Sequence, residues 1–134
     1  MKPHTNHLQI RIYYEDTDCG NVVYYANYLR YMERGRTEIM RDIGFEPARL
    51  HKLDTLFVVV EARLKYHHSA RYNDLLDLTT SIAGHSPVAI TFHYEISNQH
   101  GVLCVSGETK VACVTCAGKI KRIPKDIVEK LSDQ

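Results

Sequence analysis

Two carboxylates, Asp16 and Asp18, stand two residues apart in the run Tyr13-Tyr-Glu-Asp-Thr-Asp-Cys-Gly-Asn. This acidic segment lies between a strand pattern and a helix pattern. It therefore places carboxylates just before a helix whose first backbone N–H groups have no partners within the helix. A carboxylate beside unpaired donors is suited to attacking a carbonyl and holding the oxyanion that forms. Residues 13–36 carry this chemistry, and the rest of the chain reads as scaffold for them.

Each candidate has a plainer competitor. Asp residues before helices routinely accept backbone hydrogen bonds in turns, and spacing alone favours that role for Asp18. Two nearby carboxylates can raise one pKa, and Asp16 reads as the turn or orienting member. His67 and His68 are neighbours on a strand, facing opposite ways, which argues against a shared metal. Cys113 and Cys116 form a Cys-x-x-Cys pair. Residues three apart on a strand point to opposite faces, and no second pair completes a tetrahedral site. Reduced cysteines in a cytoplasmic core are the expectation. Glu33, Arg34, Arg36 and Glu38 could orient the loop, though ion pairs on a solvated helix face account for Arg34 and Glu38. Tyr24, Tyr25, Tyr28 and Tyr31 crowd the same segment and could line an acyl or aryl pocket or pack a core.

The elements that must position these groups follow from periodicity. Leu8 to Tyr14 alternates as a strand. From about Tyr25 to Ile43 the period is helical, with Tyr28, Met32, Gly35, Ile39 and Ile43 on one stripe. Glycine in that stripe signals close approach to a sheet, and Gly44 is the stop. Residues 45–55 read as a connector. Strands follow over Phe57 to His67, Leu75 to Ile82, Val88 to Ile96 and Val102 to Val114. Val88, Ile90, Phe92, Tyr94 and Ile96 share one face. Ser97 to Gly101 makes a hairpin turn, and Gly107 within its strand reads as a bulge. Ala117-Gly118 turns into Lys119 to Ile123, and Pro124 opens a short helix. One helix covers only one face of such a sheet, so open edges and apolar surface call for a second copy of the chain.

The 134 residues suit a single domain spanning 1–134. Seventeen Lys and Arg against sixteen Asp and Glu leave a net charge of +1, which gives no case for nucleic acid as partner. No apolar run approaches the roughly 20 residues needed to span a bilayer. Met1 to His7 lacks the apolar stretch of a secretory signal, so a cytoplasmic setting is expected.

Tyr13-Tyr-Glu-Asp-Thr-Asp, Val22-Val-Tyr-Tyr-Ala-Asn-Tyr-Leu and Glu33-Arg-Gly-Arg-Thr-Glu resemble the hotdog-fold acyl-CoA thioesterases. The likeness is greatest to the Tol-Pal-associated branch, with 4-hydroxybenzoyl-CoA thioesterase more distant. Tyr66 to Asp74 is similar to that family's turn between strands, and Gly118 to Pro124 to its closing segment. The resemblance implies an α+β fold, a long helix wrapped by a curled antiparallel sheet of about five or six strands. It implies hydrolysis of an acyl-S-CoA to a carboxylic acid and free coenzyme A. No metal or cofactor is implied, since coenzyme A enters as part of the substrate.

The resemblance assigns Asp18 the catalytic carboxylate, as nucleophile or as base for water. The backbone N–H near Tyr25 would polarise the carbonyl. Asn27 and Tyr28 are candidates for substrate binding. Lys119, Lys121 and Arg122 could meet the phosphates, though exposed basic residues near a terminus are usually only solubilising. Relatives usually carry glycine where Asn21 stands and histidine where Tyr25 stands. Asparagine tolerates the left-handed backbone such a turn needs. Some relatives hold the phosphates between their third and fourth strands, where this chain has His85-Ser86-Pro87. A homodimer, doubled to a tetramer, is expected. The rival readings are a hotdog dehydratase and a catalytically weak acyl-CoA-binding or envelope-complex partner. The first wants a histidine near the motif, and none lies between Leu8 and Leu50.

Overall fold

The computed structural model describes residues 4–132. The reading of Met1 to His7 as a non-secretory start thus lies partly outside the described residues. Nine segments follow in order. They are strand β1 (Thr5–Arg11), a 3-10 turn (Tyr14–Asp16), helix α1 (Asn27–Asp42), helix α2 (Pro47–Lys52), strands β2 (Leu56–Tyr66), β3 (Leu75–His85), β4 (Ala89–Ser97) and β5 (Leu103–Val114), and helix α3 (Lys125–Ser132). The strands form one antiparallel sheet in the order β1-β3-β4-β5-β2.

Alternation decides which face of the sheet is covered. Leu76, Leu78, Thr80 and Ile82 of β3 are buried, as are Ile90, Phe92, Tyr94 and Ile96 of β4. Helix α1 lies on this face and buries Tyr28, Tyr31, Met32, Gly35, Ile39 and Met40. Gly35 has the role its position in the stripe predicts. A Cβ there would strike the Thr80 hydroxyl and come within 3.0 Å of Leu78 Cδ2. Only glycine lets the helix sit this close to β3.

The structure corrects three expectations. Residues 45–55 are not merely a connector, because they contain α2. Pro47 opens it and Leu50 is buried, a helix too short to show a period. Helix α1 begins at Asn27 rather than Tyr25, because Tyr24 N–H is drawn back to the Asp16 carbonyl at 2.9 Å. Gly107 is not a bulge, since it stays in register with Leu64 and Tyr94. Its Cβ would meet Arg63 O at 2.7 Å and Met32 Cε at 3.3 Å, so glycine there relieves crowding. The register shifts occur elsewhere, between Val59 and Glu61, between Ile82 and Gly84, and between Ile96 and Ser97.

Among the described residues no helix is long and apolar enough to cross a membrane. Cys113 is buried on β5, but Cys116 is exposed in the turn beyond the strand's end at Val114, so the pair is not two core cysteines on opposite faces of one strand.

Candidate active site

The acidic loop is held by its own backbone. Asp18 N–H donates to Val22 O at 3.0 Å, and Asn21 N–H donates to Asp18 O at 3.0 Å. The turn needs a left-handed residue, and Asn21 supplies it at φ 62°. Asp18 Oδ1 accepts the Gly20 N–H at 2.9 Å. The carboxylate thus has one local donor and remains exposed. Asp16 is used differently. Its Oδ2 accepts the Tyr13 N–H at 2.8 Å, closing the 3-10 turn. Its carbonyl accepts both Tyr24 N–H and the Asn27 side-chain amide, the latter at 2.8 Å. Asp16 shapes the loop, the turn or orienting role expected of it, and Asp18 is the carboxylate left exposed.

The start of α1 meets this loop with donors unspent. Ala26 caps the helix through no side-chain bond. The backbone N–H groups of Tyr25 and Ala26 make no hydrogen bond within the described residues. Beside them lies a cavity of about 490 Å3, lined by Asp18, Val22, Tyr25, Tyr28, Tyr66 and His68 among others. Asp18 thus shares a cavity with Tyr25, whose N–H is unbonded at the entry to the helix, and a carboxylate beside such a donor suits attack on a carbonyl.

Three tyrosines build the wall behind. The Tyr28 ring lies 6.0 Å from Tyr31, edge to face, and 5.8 Å from Tyr66. Tyr28 Oη accepts the Ala70 N–H at 3.3 Å, and burial pushes its phenol pKa up. Tyr31 is buried and its hydroxyl lacks a partner in good hydrogen-bond geometry. Burial pushes its pKa up strongly, and the nearby Asp16 charge adds to the effect.

The sequence-predicted residues divide into two groups. Asp18, Tyr25 and Tyr28 share the cavity. Asn27 stands next to it but spends its amide on Asp16. Lys119, Lys121 and Arg122 lie elsewhere. Lys121 N–H donates to Cys113 O, at the end of β5 that pairs with Leu56, whereas the cavity lies at the Tyr66 end. The length of β5 between these ends is about 30 Å at the usual rise per residue. Lys121 Nζ donates to Leu53 O, Asp54 O and Thr55 Oγ1 at 3.1–3.2 Å, capping the carbonyls after α2. It is occupied within its own chain.

Sequence reasoning missed that the β2–β3 return closes the cavity. Val23 N–H donates to Ala70 O at 2.8 Å, and Val22 bridges to Arg71. These contacts bring Tyr66, His68 and Ser69 against the acidic loop. No local pattern announces a pairing between segments so far apart in sequence. His67 and His68 are expected as strand neighbours facing opposite ways, but β2 ends at Tyr66 and both line this cavity.

A second, smaller cavity of about 210 Å3 lies between α1, α2 and β2, lined by Arg36, Thr37, Met40, Phe45, Leu56 and Phe57 among others. Arg36 Nη1 donates to Tyr94 Oη at 3.1 Å, and Tyr94 Oη shares a 2.6 Å hydrogen bond with Thr109 Oγ1. Arg36 is thereby fixed as a structural cation at the cavity wall. Arg41, not Arg34, pairs with Glu38, while Arg34 lies over the Tyr31 ring. Among the described residues no cluster of three or more metal-ligating side chains occurs.

A family model described as the thioesterase-like superfamily matches residues 13–131. The acyl-CoA thioester hydrolase YbgC of Escherichia coli O6:H1 is 37% identical over 120 residues, covering 89% of this chain and 90% of that protein. The acyl-CoA thioesterase YbgC of Haemophilus influenzae is 36% identical, covering 88% of each. The crystal structure of a DHNA-CoA thioesterase from Staphylococcus aureus superposes with a TM-score of 0.91 at 26% identity, covering 96% of this chain and 89% of that one.

Proposed function

The chain belongs to the thioesterase-like superfamily, and from that premise we propose that it hydrolyses the acyl–sulfur bond of an acyl-CoA with Asp18 as the reacting carboxylate. The observation that carries this is the meeting of Asp18 with the unbonded Tyr25 N–H on one cavity. As Asp18 attacks, or takes a proton from attacking water, negative charge grows on the thioester oxygen. The helix end offers donors to that charge without reorganising. Coenzyme A then leaves with the sulfur. Asp16, Asn27 and Tyr28 hold the loop and wall in place.

The working unit is a homodimer built on β2. That strand is an edge of the sheet, and Val58, Val59 and Val60 are 42%, 48% and 57% exposed on it. Its outer side offers backbone groups that a second β2 can pair with. A two-fold antiparallel pairing sets the Leu56 end of one chain against the Tyr66 end of the other. The 210 Å3 cavity of one chain then adjoins the Asp18 cavity of its partner, and receives the acyl group. Lys119 and Arg122 arrive at the same place, free to meet phosphates while Lys121 stays with its carbonyls. Four free thiols fit a cytoplasmic setting.

Single-turnover thiol release from acyl-CoA by Asp18→Asn, Asp16→Asn and Cys19→Ser tests the chemistry. Asp18→Asn keeps the shape but removes the charge, so kcat falls at least roughly a hundredfold while acyl-CoA still binds. Asp16→Asn loses less, and Cys19→Ser is nearly silent. A folded Asp18→Asn protein with near-native turnover would sink the assignment. A dead Cys19→Ser protein would redirect it to the thiol.

A further inference from the structure

Thioester hydrolysis moves two protons as well as one acyl group. The departing sulfur must end as a thiol, and the incoming water must lose a proton. A carboxylate that bonds to the acyl carbon cannot carry protons in the same step. The cavity holds few other groups for that work. Tyr28 Oη is bonded to the Ala70 N–H, and burial pushes its pKa up. Tyrosine phenols in general keep their protons well above neutral pH. The imidazole is the side chain that changes charge between pH 5 and 8.

Two imidazoles reach this cavity, and the structure separates them. His67 Nε2 is engaged with Ser106 Oγ at 2.8 Å. The His68 ring makes no hydrogen bond within the described residues, is exposed, and lines the cavity with Asp18, Tyr25, Tyr28 and Tyr66. Its backbone is well fixed. His68 N–H donates to Cys104 O at 3.2 Å, and two residues on, Ala70 O accepts Val23 N–H from the acidic loop. The strand return that carries His68 is therefore bonded to the loop that carries Asp18.

We propose that His68 is the proton carrier of the site. This rests on Asp18 as the reacting carboxylate and gives that carboxylate the bond-making role. In the first step an Asp18 oxygen bonds to the acyl carbon and the carbon–sulfur bond breaks. The sulfur takes its proton from the His68 imidazolium and leaves as a thiol. In the second step water adds to the acyl carbon of the mixed anhydride, and its proton passes to the neutral His68 ring. The bond to Asp18 breaks and the carboxylic acid departs. The sum is one water consumed, with Asp18 and the imidazolium restored. Asp18, Tyr25, Tyr28, Tyr66 and His67 are the titratable groups that share the cavity with the ring.

The test compares His68→Gln, His67→Gln and Asp18→Asn on two thioesters of one acid, acyl-CoA and the S-phenyl thioester. Thiophenolate departs without needing a proton, so it bypasses the first transfer. His68→Gln should lower kcat/KM for acyl-CoA roughly a hundredfold, the lower end for acid–base catalysis. It should leave acylation by the S-phenyl ester close to wild type. Acyl-enzyme should then accumulate as a burst of thiophenol, and added imidazole should speed its decay. His67→Gln should behave as wild type on both. Wild-type turnover of acyl-CoA by His68→Gln overturns the proposal. So does an equal loss on both esters without rescue by imidazole, which marks a structural role. Asp18→Asn should fail on both esters, and its activity on both would instead remove the carboxylate assignment.

Discussion

Strand β4 runs Ala-Ile-Thr-Phe-His-Tyr-Glu-Ile-Ser, and its Ile90, Phe92, Tyr94 and Ile96 are almost wholly inside. Strand β2 runs Leu-Phe-Val-Val-Val-Glu-Ala-Arg-Leu-Lys-Tyr, starts with more consecutive apolar residues, and is exposed over most of its length. Hydrophobicity does not explain the difference. β4 sits between two strands on a face that α1 covers, whereas β2 pairs only with β5 and has an open side. Burial depends on what a strand is placed against, and β2 has β5 along one side only, with Val58, Val59 and Val60 left exposed. An apolar edge of this kind is a surface for another chain. The working site is assigned to the same edge, because each end of β2 borders one cavity.

The largest effect should come from disturbing the covered face. Gly35→Val drives a branched side chain into Thr80 and Leu78. Overpacking of this sort costs about 1–3 kcal/mol and a helix position loses further propensity. Urea unfolding should show the midpoint collapse, with activity lost in proportion to the unfolded fraction. A Gly35→Val protein of native stability would mean that α1 does not rest on β3 as described.

Val59→Lys disturbs the open edge instead. Val59 is about half exposed on an edge strand, so circular dichroism and the monomer's fold should be little changed. Sedimentation equilibrium should show dissociation, and thiol release should fall with it. An active Val59→Lys monomer would break the contrast, since the site would then be complete in one chain.

The smallest effect concerns the Leu56 end of β2. Asp54 Oδ1 accepts the Cys116 N–H at 2.9 Å, and this bond holds the Asp54 pKa below the usual carboxylate range. A depressed pKa in the folded state adds stability above the unfolded carboxylate value, about 3.9. That contribution is lost as pH falls through the lower folded value. Asp54→Asn should therefore flatten the acid limb of stability against pH, read as thermal midpoints below pH 5. An unchanged acid limb would show that the bond is not formed in solution.

What could be read from the chain alone was whatever is encoded within a few residues. The acidic turn before a helix, the apolar stripe of α1, the close-approach glycine at 35 and the alternation of β3 and β4 are local patterns, and all are found in the structure. Periods of 3.6 and 2 fix which residues share a face. Asp18 was legible because a turn and a helix start are adjacent in sequence. The pairing of residues 22–23 with 70–71 was not legible, and together with the His68 N–H bond to Cys104 O it puts His68 on the Asp18 cavity. Nor was the fate of Lys121, whose partners Leu53, Asp54 and Thr55 meet it only through the β2–β5 pairing. Such contacts join segments separated by dozens of residues, and their energy depends on strand order and register. The sequence by itself determined that Asp18 stands in a turn just before a long amphipathic helix. The tertiary structure decided that His67 and His68 line the cavity with Asp18 and which strand edge is left open, because both follow from where distant segments pack.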